Sequence, residues 1–275
     1  MIHLIAFAIF VCSACTALAG VQEFGHPLFR TFTARNYGEI GQILAVTEDA
    51  QGRMLFGCRN AIVAFDNNQW ETIPIPGVGY IRSLAVDRRG LVWFRSNEQI
   101  GYLTRVGDQY RAVKAYSGSF GPNSRIAVAG NQVYFSTETG LVIWNNGHIY
   151  QQPWPTNSFL PFSLALSHGK IRVGDRDGYI YEFEGNRFNR VAESPPTDAG
   201  LIRTIVDCPI GDGLIVRRSG IFQKTGPTAV PWKTDIDSFL QSSKIFDAKW
   251  VLGKYLAVLV QDSGVFSAGP ARTPC

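Results

Sequence analysis

Residues 177–188 read DGYIYEFEGNRF. Strand-forming residues run from Tyr179 to Phe183, Gly185-Asn186 forms a tight turn signal, and Arg187-Phe188 starts the return, so the stretch is expected to be a β-hairpin. The same hairpin recurs along the chain. Phe65-Asp66-Asn67-Asn68-Gln69-Trp70 and Trp144-Asn145-Asn146-Gly147-His148-Ile149 flank their turns with large residues five positions apart, as Phe183 and Phe188 do. Tyr110 holds the corresponding place in Val106-Gly107-Asp108-Gln109-Tyr110. The closing residues therefore fall at 70, 110, 149 and 188, and a step near 40 residues is the signature of a repeat fold.

Other landmarks keep that step. Asp49-Ala50-Gln51-Gly52 before Met54-Leu55-Phe56 matches Asp87-Arg88-Arg89-Gly90 before Val92-Trp93-Phe94. A second turn recurs as Thr139-Gly140-Leu141, Asp177-Gly178-Tyr179, Ser219-Gly220-Ile221 and Ser263-Gly264-Val265. Its glycines are expected to supply the positive φ of a tight turn. Each unit thus reads as four short strands joined by three turns, with no convincing helical period, which is the pattern of a propeller blade. The fold class is all-β: a β-propeller of four-stranded antiparallel blades. Six are visible, at about 41–76, 79–117, 121–157, 158–195, 199–235 and 243–268. The sixth lacks an outer strand, and Leu28–Thr33 has the alternation to fill that edge. The ring is either closed by six blades in this way or an incomplete ring of seven.

Composition narrows the class of partner. The formal net charge of +4 is spread over 275 residues without a run of Lys or Arg, so no nucleic-acid partner is expected. Residues 1–19 hold an apolar stretch ending in Ala17-Leu18-Ala19 and read as a cleaved signal peptide, with an uncleaved anchor or lipidation at Cys15 as the alternatives. Residues 20–275 form the propeller domain, expected in the periplasm or secreted, and meeting a membrane only through a partner. Cys58, Cys208 and Cys275 have spacings that suit neither a zinc knuckle nor a disulfide scaffold.

The Asp-x-x-Gly turns followed by aromatic strands give the chain its family likeness. Glu48-Asp49-Ala50-Gln51-Gly52-Arg53-Met54-Leu55-Phe56-Gly57, Val86-Asp87-Arg88-Arg89-Gly90-Leu91-Val92-Trp93-Phe94 and Thr139-Gly140-Leu141 resemble the two-component regulator propeller repeats, the sensor regions of bacterial hybrid histidine kinases. The resemblance covers about residues 25–268, closely in the first two units and loosely in the rest. It implies an extracytoplasmic ligand-binding sensor module that recognises a ligand, often a carbohydrate fragment, and passes the event through a membrane span to a histidine kinase. Here a small carbohydrate or anionic ligand and a separate histidine kinase are the expected partners, and the chain is expected to be a truncated gene product, a stand-alone sensor or a binding subunit. The membrane span, the Tyr-rich domain and the kinase motifs of that family are not in this sequence. A propeller enzyme acting on a sugar or lactone and a protein-interaction scaffold are the alternatives.

Candidate site residues come from the innermost strands, which line a propeller's channel. Ile81-Arg82-Ser83-Leu84 and Ile202-Arg203-Thr204-Ile205 are near copies, and Ser124-Arg125-Ile126 opens a third unit. Arg82, Arg125 and Arg203 are therefore expected at one channel mouth, where planar guanidinium forks suit a carboxylate, sulfate or phosphate. The competing reading pairs them with Asp87, Asp207 and Asp247 or leaves them in water. Trp154, Trp232 and Tyr80 are candidates to stack on sugar rings, or else pack between blades. No cofactor, metal site or catalytic residue is expected: His26, His148 and His168 fall in unrelated turns, Asp175-Arg176-Asp177-Gly178 lacks the rest of a calcium loop, and Gly77-Val78-Gly79 precedes a strand pattern.

Overall fold

The computed structural model describes residues 34–38, 41–66, 69–107, 109–121, 124–191, 201–218, 220–226, 228–251, 253, 255–261 and 263–268. Residues 1–19, including Cys15, as well as Leu28–Thr33 and Cys275 lie outside these residues. The chain forms a six-bladed β-propeller in which every sheet is antiparallel and its strands follow chain order. Blade 1 is β1 (Ala45–Glu48), β2 (Met54–Gly57), β3 (Ala61–Asp66) and β4 (Gln69–Pro74). Blade 2 is β5 (Ser83–Val86), β6 (Val92–Arg95), β7 (Gln99–Val106) and β8 (Gln109–Ser117). Blade 3 is β9 (Ile126–Ala129), β10 (Gln132–Ser136), β11 (Gly140–Asn145) and β12 (His148–Pro153). Blade 4 is β13 (Pro161–Ser167), β14 (Lys170–Asp175), β15 (Ile180–Glu184) and β16 (Arg187–Arg190). Blade 5 is β17 (Ile202–Val206), β18 (Leu214–Arg217), β19 (Gly220–Thr225) and β20 (Thr228–Pro231). Blade 6 has three strands among the described residues: β21 (Ile245–Val251), β22 (Tyr255–Val260) and β23 (Gly264–Ala268).

Two short helices, α1 (Ala34–Tyr37) and α2 (Asp237–Gln241), were not expected from the sequence pattern. Five residues are too few to show a 3.6-residue period, and α2 is held by Leu240, which packs among blade 5 and blade 6 residues.

The turn chemistry explains why the hairpins form. Gly185 and Asn186 have φ of 56° and 60°, and Asn146 and Gly147 have 48° and 87°, the doubly positive geometry whose twist matches that of the flanking strands. In the Asp-x-x-Gly turns the aspartate is the organiser. Asp87 Oδ1 accepts the backbone N–H groups of Arg89 at 2.9 Å and Leu91 at 3.1 Å, while Oδ2 accepts the indole N–H of Trp93 at 3.0 Å. Asp49 repeats this with Gln51 and Arg53, and also accepts the hydroxyl of Tyr110 from the next blade.

Apolar packing runs between blades. Inner strands β1, β5, β9, β13, β17 and β21 pack in succession. Five clusters fill the successive junctions, as Leu55 and Ile62 of blade 1 against Val92 and Phe94 of blade 2, and Trp93 of blade 2 against Phe135 and Trp144 of blade 3. This is why β6 and β18 are buried on both faces and carry no alternation, whereas the outer strands do.

Buried arginines reinforce the junctions. Arg95, fully buried, donates to the carbonyls of Gly121 at 3.2 Å and Ser124 at 2.7 Å in blade 3. Arg172 of blade 4 bonds the carbonyl of Asp212 in blade 5 at 2.7 Å, and Arg217 of blade 5 bonds that of Gly178 in blade 4 at 3.1 Å.

Candidate functional site

The mouth of the channel is built where each innermost strand begins. In blades 4, 5 and 6 that strand carries a β-bulge at the same place: the register slips between Pro161 and Ser163, between Ile202 and Thr204, and between Ile245 and Asp247. The extra residues are Phe162, Arg203 and Phe246. A bulge re-aims one side chain out of the ladder, and here it does so in three consecutive blades. The guanidinium carbon of Arg203 lies 5.7 Å from the ring centre of Phe162 and 5.9 Å from that of Phe246, within cation–π reach of both.

Arg82 and Arg125 immediately precede the corresponding strands of blades 2 and 3. Arg82 Nε donates to Asn97 Oδ1 at 2.8 Å. The backbone N–H of Arg125 donates to Ser136 Oγ at 2.8 Å, fixing the start of β9. Arg125 is the electrostatic link, acting on Arg95 together with Arg82 and separately on Arg203. Burial first, then the charges of Arg125 and Arg82, push the Arg95 guanidinium down to about 9, so that it still carries its charge at neutral pH. Burial, with Arg218 and Arg125, likewise lowers that of Arg203, against the opposing pull of Asp247. Asp247 is held above the ordinary carboxylate value by burial, in spite of Arg125 and a hydrogen bond from Thr204.

Cations thus outnumber anions at this mouth. Among the described residues no carboxylate forms an ion pair with Arg82, Arg125 or Arg203, and the buried Nε of Arg203 has no hydrogen-bond partner. The alternative acid partners are engaged elsewhere: Asp87 with Arg89 and Trp93, and Asp207 with the backbone N–H of His168 at 3.0 Å and its ring at 3.3 Å. Asp247 is close enough to act on Arg125 and Arg203 without reaching salt-bridge distance.

The aromatic candidates need correction. Trp154 and Trp232 are only 8% and 9% exposed. Trp154 stacks on Phe159 and donates its indole N–H to the carbonyl of Thr137, and Trp232 packs in the cluster between blades 5 and 6, so both take the alternative, packing role. Tyr80 is half-buried beside Arg59. Asp175 receives the backbone N–H of Tyr179 at 2.7 Å and organises a hairpin turn. Cys58 and Cys208 are buried free thiols, and burial pushes that of Cys58 up to about 11.

Three residues at the mouth escaped the sequence reading: Arg95, Phe162 and Phe246. The signal for the last two was present, since Pro161-Phe162-Ser163, Ile202-Arg203-Thr204 and Ile245-Phe246-Asp247 occupy one place in the repeat.

No protein-family model matches the chain, and no curated protein matches its sequence. Solved structures do. A catalytically inactive virginiamycin B lyase from Staphylococcus aureus, solved with quinupristin, aligns with a TM-score of 0.69 at 13% identity over 83% of this chain and 80% of that one. The extracellular domain of the hybrid two-component system BT4673 from B. thetaiotaomicron aligns at 0.66 and 12%, covering 86% of this chain and 32% of its own. That of BT3049, from the same organism, gives 0.63 and 12% over 90% and 37%. The likeness is one of fold. The chain spans about a third of the length of the two-component domains, and those neighbours belong to the group that the Asp-x-x-Gly turns resemble. No helix among the described residues is long and apolar enough to cross a membrane.

Proposed function

We propose that this propeller is an extracytoplasmic ligand-binding sensor module of a two-component system, signalling to a histidine kinase, and that its ligand is a small anion held at the channel mouth by Arg82, Arg125 and Arg203. The observation that carries this reading is that Arg125 acts on Arg203 and, together with Arg82, on Arg95, while no carboxylate among the described residues forms an ion pair with Arg82, Arg125 or Arg203. Such a group costs stability unless something completes it, and a carboxylate or other anion completes it with charge-assisted hydrogen bonds. The fold neighbours that are extracellular domains of two-component systems support the setting, and the leader-like first residues support the compartment.

The test is a thermal-shift panel of anionic metabolites and acidic sugars on the wild type and on the Arg82→Ala, Arg203→Ala double variant. A ligand selective for the folded state raises the melting temperature. The reading expects at least one anion to do so in the wild type only; a panel without effect, or an equal effect on the variant, overturns it.

A further inference from the structure

The mouth is apolar as well as cationic. Phe162 and Phe246 flank Arg203 from the two neighbouring blades, Phe246 is 50% exposed and Leu160 is 49% exposed. Beside them opens a cavity of about 190 Å³ lined by Ser124, Glu138, Leu160, Pro161, Phe162 and Arg176, among others. It shares Phe162 with the Arg203 stack, and Ser124 with the turn that carries Arg125. Its volume is below the roughly 300–1,000 Å³ of clefts for drug-sized ligands, so it suits a single ring and no oligomer.

The ligand chemistry follows from that pairing. Sulfate or phosphate would satisfy the guanidinium N–H groups but leave the ring faces and Leu160 in water. A sugar acid could reach Ser124, Glu138 and Arg176 with some of its hydroxyls, but would press the others against Leu160, Pro161 and Phe162, which offer them no hydrogen bonds. An acid with an apolar body answers both halves, its carboxylate on the fork and its body covering apolar surface. We propose that the mouth binds a small organic acid carrying one carboxylate and an apolar body about the size of one ring. The carboxylate lies on Arg203, the body fills the Leu160–Pro161–Phe162 cavity, and Phe246 shields the ion pair on the far side. This rests on the anion-sensor reading above and narrows it to a ligand class.

Thermal shift and calorimetric titration with phenylacetate, acetate, sulfate and glucuronate separate the two claims. Phenylacetate is expected to raise the melting temperature and to bind at least about tenfold more tightly than acetate. Leu160→Ser, at an exposed position, is expected to remove that preference while leaving acetate unchanged, and Arg203→Met to remove binding of both. A shift with glucuronate or sulfate that matches or exceeds phenylacetate and depends on Arg203 overturns the ligand class while leaving the anion reading intact. No shift with any of the four overturns the class, and the wider panel then decides the anion reading separately. Phenylacetate binding that is indifferent to Leu160→Ser places the apolar body elsewhere and also overturns the proposal.

Discussion

The guanidinium of Arg203 sits 5.7 Å from the ring centre of Phe162, a contact between two blades made possible because both residues are the extra members of β-bulges. Arg203 gains little else from the fold, since Arg125 and Arg218 repel it and its Nε is unpartnered. Each cation–π contact is worth on the order of 0.5–1 kcal/mol at such a site, and the repulsion offsets part of that. Arg203→Met is therefore expected to change stability by less than about 1 kcal/mol in urea denaturation, as for a residue kept for binding. A large destabilisation would show that Arg203 is structural.

Asp87 behaves in the opposite way. Asp87→Ala strips partners from two backbone N–H groups and from the indole of fully buried Trp93. Leaving buried donors unsatisfied costs about 1–3 kcal/mol each, with partial relief from water at the turn. The expected loss is about 2–4 kcal/mol in a denaturation midpoint, with Asp87→Asn milder.

Asp49 and Asp87 also set an acid limit. Burial alone would raise both carboxyls, but hydrogen bonds from Tyr110 and Arg53, and from Arg89 and Trp93, hold them below the ordinary value. A depressed folded value adds stability that is present above the unfolded value of about 3.9 and lost as pH falls through the folded one. Stability is expected to fall steeply below about pH 4, and less so in Asp87→Asn. A pH profile of the urea midpoint that matches between the two proteins would refute this.

Asp247 has the reverse sign. Its folded value is raised by burial, so its contribution is favourable below the unfolded value and is lost as pH rises through the folded one. Asp247→Asn is expected to stabilise the protein at pH 7, with the gain shrinking toward pH 4. The same substitution removes the negative charge acting on Arg125 and Arg203, and should tighten anion binding. Thermal melts at the two pH values, with and without anion, check both.

Gly57 tests the blade 1–blade 2 junction. A Cβ there would lie 2.8 Å from Ile81 Cγ2 and 3.0 Å from the Ile81 carbonyl oxygen, next to Arg82. Gly57→Ala is expected to cost about 1–3 kcal/mol through overpacking. Gly107→Ala meets nothing within 4 Å and loses only about 1 kcal/mol, from its φ of 63°. Denaturation of the two variants side by side gives the comparison.

The architecture was legible because each blade repeats the same turn chemistry: Gly185-Asn186 and Asn146-Gly147 can serve only as tight turns, and Asp49 and Asp87 announce their turns by their spacing to Gly52 and Gly90. The arginines were legible as copies at one place in the repeat. Phe162 and Phe246 were legible only by their alignment with Arg203 in the repeat and went unread, because an apolar residue at the start of an inner strand reads as core until a bulge turns it outward. Trp154 and Trp232 misled for a related reason. They lie beyond the last strands of their blades, where loops are normally exposed, yet each tucks back into a blade junction.

The central claim is that the channel mouth is an anion site centred on Arg203, and the most direct measurement is the calorimetric affinity of the wild type and of Arg203→Met for the most stabilising anion of the panel. At least about a tenfold loss is expected in the variant, with its melting temperature in the absence of ligand nearly unchanged. Equal affinities in two equally folded proteins would contradict it.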